Sequence, residues 1–202
     1  MSPRHRIIGI AIMLAVALGM GFYAWRMRGR VTQIEVPAEY THPVAAPVQG
    51  ATEQVTLYVA YDDPGTLRAQ SASIPLPAGR QERANELLRA LLALYLDRSS
   101  SHALGPGAEI RDVYLVDPGL AVIDVSDAFA DGHRSGILVE ELTVASLVQT
   151  LATGIPGINR VKILVGGRER ETLAGHADLS GIYDVSAVGQ MVGELQKGAI
   201  GN

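Results

Sequence analysis

Five histidines are the side chains of this sequence best suited to acid–base or metal chemistry: His5, His42, His102, His133 and His176. No two of them stand three or four residues apart, the spacing that places two ligands on one helix face, and no H-E-x-x-H motif occurs. The absence of cysteine excludes thiolate metal sites, iron–sulfur clusters, cysteine nucleophiles and disulfides. The sequence therefore predicts no metal and no cofactor.

A serine nucleophile is suggested by Gly132–Gly136, whose sequence is GHRSG. The strand-to-helix turn of serine hydrolases requires G-x-S-x-G, and here the serine stands one position too late. Ser135 is better placed as the N-cap of the helix that follows. This stretch therefore predicts the start of a helix.

The acidic clusters have structural explanations that are simpler than ligand binding. Asp62–Asp63 precedes Pro-Gly, which is typical of a turn. Asp124, Ser126 and Asp127 lack the glycine and terminal glutamate of a calcium-binding loop. We expect Ser126 and Asp127 to bond the backbone at a corner while Phe129 fills the core. With no catalytic, cofactor-binding or metal-binding residue predicted, we expect that the protein is not an enzyme.

The charge distribution disfavours a nucleic-acid partner. Five of the 17 basic residues precede the first acidic residue, Glu35, so the remaining 12 face all 21 acidic residues. A body with this excess of carboxylates repels a phosphate backbone unless it has a local basic patch, and none is visible.

Residues 7–25 contain no charged side chain and predict a transmembrane helix or signal anchor after a short flank of residues 1–6. As a helix they would span roughly 28 Å, about the hydrocarbon thickness of a bilayer. A cleaved signal peptide stays the alternative. Arginines lie on both sides of the span, so the positive-inside rule does not decide the orientation.

A short amino terminus with a large exported body is the commoner arrangement for such an anchor. We therefore expect a single-pass protein of the inner or plasma membrane whose C-terminal domain is extracytoplasmic. Residues 26–53 contain three prolines and no sustained periodicity, so they predict a linker.

The rest of the chain alternates between two periodicities. Alternating apolar residues predict five strands, at 54–61, 67–76, 110–116, 120–125 and 160–165. Helical periodicity predicts helices at 80–96 and 136–153.

Gly154 is expected to end the second helix in a left-handed conformation. Residues 168–183 are expected to be irregular and to cross the surface, and 184–202 to form a tail with a weak helical pattern. The order ββα-ββα-β predicts a two-layer α/β sandwich with two helices on one face of a mixed sheet.

Several of these segments resemble the GerMN domain of spore-germination and sporulation proteins. The resemblance is carried by five stretches in the family's order: Val55–Val59, Arg83–Leu92, Leu120–Phe129, Ser146–Leu151 and Val161–Gly167. The third of these is a strand that runs into an Asp-x-Ser-x-x-Phe corner, the most recognisable segment of the family. The resemblance covers residues 54–183 and implies a single domain, whereas some members carry two in tandem.

The resemblance implies an envelope-exposed, membrane-tethered module, related to ring-building domains of secretion assemblies and without known catalytic residues. The family's first helix often ends in Gly-Pro, and this chain departs from that pattern at Tyr95–Arg98. We expect a non-enzymatic protein that binds envelope proteins or itself. The alternative is an envelope ligand-binding or hydrolytic domain for cell-wall-derived molecules, which would bring Asp124, Asp127 or His133 into a deep pocket.

Overall fold

The structure is a computed structural model that describes residues 50–116 and 118–200, with side chains up to residue 194 in the last helix. The flank 1–6, the transmembrane helix 7–25 and residues 26–49 of the predicted linker lie outside the described residues. All buried hydrophobic side chains of the described part lie between Val55 and Val192, so a fragment of residues 50–202 contains that whole core.

The described part contains six strands and four helices. The strands are β1 (Thr52–Tyr61), β2 (Thr66–Pro75), β3 (Ile110–Val116), β4 (Leu120–Val125), β5 (Arg160–Val165) and β6 (Tyr183–Asp184). The helices are α1 (Arg80–Leu96), α2 (Asp127–Asp131), α3 (Ile137–Gly154) and α4 (Val185–Ile200).

The strands form two separate sheets, which corrects the predicted single mixed sheet. β1 and β2 make an antiparallel hairpin, and the other sheet has the order β3-β4-β5-β6, in which β4 and β5 are parallel. α1 packs against β3 of one sheet and against β1 and β2 of the other, while α3 packs mainly against β1. The fold is therefore mixed α/β, with two sheets in place of one.

Side chains of the helices satisfy backbone groups of β1 that a longer sheet would pair with another strand. The Tyr58 N–H donates to Thr150 Oγ1 at 2.9 Å, and the Ala60 N–H donates to the Tyr95 hydroxyl at 2.8 Å. Because buried amides need a partner, these two bonds let the hairpin end against helices without extending the four-stranded sheet.

The start of α3 differs from the prediction. Gly136, with φ 155°, occupies the N-cap position, and its N–H donates to Glu140 Oε1 at 3.1 Å. Ser135 is therefore not the cap, since a glutamate in the first turn reaches back to the cap amide in its place.

The predicted left-handed end of α3 at Gly154 is also wrong. Gly154 is the last helical residue, and the positive φ falls three residues later, at Gly157. A Cβ at Gly154 would lie 2.3 Å from Leu87 Cδ1, so the glycine is needed for the close approach of α1 to α3.

We expect Gly154→Ala to lower the free energy of unfolding by about 1–3 kcal/mol, because Leu87 must leave its packed position. Gly193→Ala is the matched control, since a Cβ there meets nothing within 4 Å in the middle of α4. That change should raise stability by about 0.5–1 kcal/mol. Urea unfolding of the 50–202 fragment measures both, and two changes of the same sign would contradict the packing described here.

The predicted corner after β4 is confirmed in most of its parts. Ser126 caps α2 by accepting the Phe129 N–H at 3.2 Å, and Phe129 is buried. Asp127 is exposed and lies 4.0 Å from Arg168 Nη2, a contact with a side chain where a backbone bond was predicted. The neighbouring Asp124 makes a backbone bond, since it accepts the Gly167 N–H at 2.7 Å.

The C-terminal part of the chain is more ordered than its sequence pattern indicates. In the segment 168–183, Leu173, Ala177 and Leu179 are buried, so it does more than cross the surface. The Asp184 carboxylate accepts the Ser186 and Ala187 N–H groups at 2.8 and 3.1 Å and so caps α4. Among the described residues α3 alone is long and apolar enough to cross a membrane, and more than half of it is buried against the rest of the domain.

Candidate functional site

Titratable side chains gather around the first half of α3. Three of them, Asp62, His102 and His133, form a hydrogen-bonded chain with Thr143, here called the His–Thr network. His102 Nδ1 lies 2.6 Å from Asp62 Oδ1, and its Nε2 lies 2.7 Å from Thr143 Oγ1. His133 Nε2 lies 2.7 Å from the same hydroxyl oxygen. Asp62 is therefore a partner of His102 and of Arg134, in addition to its predicted place in a turn.

The order Asp62–His102–Thr143 has the connectivity of a catalytic triad, but its geometry excludes that role. A triad needs a hydroxyl that a substrate can reach. Thr143 is 0% exposed and His102 is 1% exposed. The network is thus part of the interior, where it joins the turn after β1, the loop after α1 and α3.

The hydrogen atoms of the network can be counted from its partners. His102 Nδ1 donates to the Asp62 carboxylate, and His133 Nδ1, 2.8 Å from the Arg134 carbonyl oxygen, donates as well. When both rings are neutral, each Nε2 is an acceptor, and so is the Val139 carbonyl oxygen, 3.1 Å from Thr143 Oγ1. All three acceptors face the one hydroxyl hydrogen of Thr143. A second proton on either ring would make its Nε2 a donor to Thr143 Oγ1, but burial opposes that charge.

Burial lowers the pKa of His102, and Asp62 only partly offsets it. Burial likewise lowers the pKa of His133. The unfolded chain, with histidine pKa values of about 6.5, therefore binds more protons than the folded chain as the pH falls. We expect the free energy of unfolding to be highest above pH 6.5 and to decrease as the pH falls toward the folded-state pKa values.

Urea unfolding of the 50–202 fragment between pH 7.5 and 5.5 checks this expectation. The His102→Gln/His133→Gln double variant should have a flatter profile over that range. An unchanged slope in the double variant would assign the pH dependence to other groups.

Glu140 forms a second buried centre one helical turn before Thr143. It is 0% exposed, and its Oε2 accepts the N–H groups of Ala174, His176 and Ala177, each at 2.9 Å. Its Oε1 accepts the Gly136 N–H and lies 2.9 Å from His176 Nδ1. Burial would raise the pKa of Glu140, but these hydrogen bonds prevail and lower it to about 2.

Ser135, His176 and Glu140 are close together but are not arranged for catalysis. Ser135 Oγ and Glu140 Oε1 both face His176 Nδ1, at 3.3 and 2.9 Å. In a serine hydrolase the acid and the nucleophile use different ring nitrogens, so that a proton can pass through the ring. Here both use the same nitrogen. The Glu140 carboxylate instead holds the loop between β5 and β6, which is called the loop below.

A groove of about 370 Å³ opens beside His176, between α3, the end of the loop and α4. We call it the acidic groove. It is lined by Glu141 and Val144 of α3, by His176, Ala177, Asp178 and Tyr183, and by Ala187, Val188 and Met191 of α4. Its volume lies at the low end of the range of about 300–1,000 Å³ that is typical of binding sites.

The acidic groove combines an apolar floor with carboxylates at its rim. Hydrogen bonds from the Ser180 hydroxyl and amide lower the pKa of Asp178, so this carboxylate is charged at neutral pH. Burial, and then the charges of Asp178 and Glu141, raise the pKa of Tyr183 to about 12, so its hydroxyl stays protonated. The carboxylates of Asp178 and Glu141 therefore both act on the Tyr183 hydroxyl.

The residues named for the ligand-binding alternative have separate partners, although Asp124 and Asp127 both lie beside the Gly166–Gly167 turn. His133 belongs to the His–Thr network, Asp124 holds the Gly167 amide, and Asp127 is exposed near Arg168. Among the described residues no group of three metal-ligating side chains occurs.

Sequence reasoning missed Glu140 and the groove because their partners lie far away along the chain. The Glu140 partners in the loop are 34 to 37 residues distant. The only local signal was the position of Glu140 four residues after a glycine at a helix start.

Comparison with known proteins gives one family. Residues 56–171 match the Germane family, described as "Sporulation and spore germination". These residues make up more than half of the chain. No curated protein matches the sequence.

Among solved structures, the tandem GerMN domains of the sporulation protein GerM from Bacillus subtilis share the fold, with a TM-score of 0.50 at 20% identity. That match covers 66% of this chain and 46% of the other, so the chain spans about half of the tandem.

Two further matches have lower TM-scores. The first GerMN domain of GerM matches at 0.44, with 21% identity and coverage of 63% and 92% of this chain and that one. A candidate lipoprotein from Clostridium perfringens matches at 0.45, with 21% identity and coverage of 71% and 93%.

Proposed function

Since this chain belongs to the Germane family of sporulation and spore germination proteins, we propose that it is a non-enzymatic, membrane-tethered envelope protein whose GerMN-like domain binds protein partners. The apolar segment 7–25 would hold it in the membrane, with the domain on the extracytoplasmic side. Confinement to a membrane raises the effective concentration of a partner, so that a modest surface is sufficient for binding.

The acidic groove is the observation that carries this proposal. It joins an apolar floor to charged groups at the rim, as protein interfaces commonly do. α4 forms one wall, with Val188 and Val192 packed into the core, so the groove is preformed and a partner would not have to order it.

The arrangement of the buried polar groups supports a role in binding over one in catalysis. Thr143 is inaccessible, and Glu140 is occupied by backbone N–H groups. A nucleophile and its base must meet at a surface that the substrate reaches. Ser135 and His176 are exposed, but they meet at the nitrogen that already faces Glu140.

The proposed location can be tested because the chain has no cysteine. A Ser71→Cys variant places one thiol on the exposed surface of β2. We expect a membrane-impermeant maleimide to label this thiol in intact cells after removal of any outer barrier. Labelling only after lysis would contradict an extracytoplasmic domain.

The proposed binding can be tested by blocking the groove. Ala187 is exposed and lines the groove, so Ala187→Trp fills the space without disturbing the core. Envelope proteins that co-purify with the full chain after crosslinking should be lost with Ala187→Trp and retained with Ser71→Trp. If the two variants capture the same proteins, the groove is not the binding site. Capture of only a second copy would identify self-association.

A further inference from the structure

We propose that the acidic groove binds a segment of a partner protein in which a large apolar side chain stands next to lysine or arginine. This inference rests on the proposed function and specifies the chemistry of the partner. It follows from the charge at the rim of the groove, the apolar floor and the size of the space.

The charge at the rim is negative on two sides. Glu141 projects from α3, and Asp178 lies at the end of the loop that Glu140 holds. A cation entering here would meet carboxylates from two elements, which favours a basic partner over an acidic one.

The buried cation Lys162 contributes to the lowered pKa of Asp178, but it is paired with Glu169, so the rim keeps a net negative charge. Lys162 Nζ donates to the carbonyl oxygens of Leu179 and Ser180 at 3.1 and 2.6 Å, and it lies 3.2 Å from Glu169 Oε1. Its ammonium group is thus bound by two carbonyl oxygens and a carboxylate of the loop. His176 also lines the groove, and its Nδ1 faces the Glu140 carboxylate.

The floor of the groove favours an apolar side chain. Val144, Ala177 and Val188 are buried at its base, and Met191 lies half-buried at one wall. A methionine adapts its shape to different partners. A space of about 370 Å³ takes one or two side chains of a peptide, with the basic residue left at the rim.

Tyr183 provides an internal reporter of a bound cation. The carboxylates of Asp178 and Glu141 help to hold its pKa at about 12. A lysine or arginine placed between them would weaken that effect and lower the pKa of the phenol, whereas an uncharged ligand that only filled the floor would raise it through further burial.

The test is a selection of random nonapeptides displayed on phage against the detergent-solubilised full chain. We expect the enriched peptides to carry a large apolar residue beside lysine or arginine. A synthetic copy of the most enriched peptide should lose binding to Ala187→Trp. Its affinity should fall about tenfold for the Glu141→Gln/Asp178→Asn variant, and a Tyr183 titration should report a lower pKa when it is bound.

The matched control replaces two carboxylates outside the groove, Asp63→Asn with Glu86→Gln, and should leave the affinity unchanged. Enriched peptides that are acidic or uncharged but still depend on Ala187 would overturn this inference and leave the proposed function standing. If no enriched peptide depends on Ala187, the inference is wrong, and the groove's role is then decided by envelope crosslinking with the Ala187→Trp variant.

Discussion

Glu140→Ala is expected to lower the free energy of unfolding by about 3–5 kcal/mol, the largest effect of any single substitution considered. The substitution removes one carboxylate but leaves four backbone N–H groups and an imidazole without their acceptor. Urea unfolding of the 50–202 fragment measures the loss. Hydrogen exchange should show lost protection at the amides of Ala174, His176 and Ala177 before the rest of the domain opens.

Two variants sharpen this prediction. Glu140→Gln keeps the shape and one carbonyl oxygen for the loop amides, so it should cost only about 1–2 kcal/mol. Glu141→Ala removes the neighbouring, half-buried glutamate and should change stability by less than about 0.5 kcal/mol. Equal losses for Glu140→Ala and Glu141→Ala would show that the carboxylate of Glu140 does not hold the loop.

Glu140 also predicts an acid transition. Its pKa is about 2 in the folded chain and about 4.5 when unfolded, so its contribution to stability is present above pH 4.5 and is lost as the pH falls toward 2. The loss of stability that His102 and His133 cause begins at higher pH than the loss that Glu140 causes. Unfolding measured over a series of pH values therefore separates the two losses.

Thr143→Val is expected to cost about 2–3 kcal/mol, because it replaces the hydroxyl that both buried histidines face with a methyl group of the same size. The loss should grow as the pH falls below 6.5. Thr143 Oγ1 is the acceptor available to a protonated ring, so its removal disfavours the charged form of each histidine in the folded chain still further.

Thr150→Val is the matched control on the same helix. Thr150 is also 0% exposed, and its hydroxyl accepts the Tyr58 N–H at 2.9 Å. Its replacement should cost about 1–2 kcal/mol with no added pH dependence, since no histidine is involved. Parallel pH profiles for the two valine variants would contradict the proton count in the His–Thr network.

The sequence predicted the elements well because their signals are local. The helix at 80–96 and the strands at 110–116, 120–125 and 160–165 have the bounds of the observed elements. Each element has apolar residues that repeat at the period of a helix or a strand. Burial of the apolar face that they form is enough to determine where the element begins and ends.

The assembly of those elements was harder to predict. Whether the β1–β2 hairpin joins the other sheet depends on Thr150 and Tyr95, which take up the amides of Tyr58 and Ala60 from other parts of the chain. The prediction of Gly154 as a left-handed end failed for the same reason, because Leu87 of another helix decides what fits there.

The candidate site was the least predictable part. Its histidines were judged by helical spacing, whereas His102 and His133 meet through Thr143, 41 and 10 residues away from them. The acidic groove needs residues of two helices and of the loop between them, which no short motif contains. The absence of catalytic and metal-binding residues and the binding role of the domain stay predictions.

Site-specific photo-crosslinking in living cells tests the central claim most directly. A photoreactive phenylalanine analogue at Ala187, inside the acidic groove, should crosslink the full chain to a defined envelope protein. The same analogue at Ser71 on β2 should not. Crosslinks at Ser71 that equal those at Ala187, or none at either position, would contradict the claim that this groove is where the protein meets its partner.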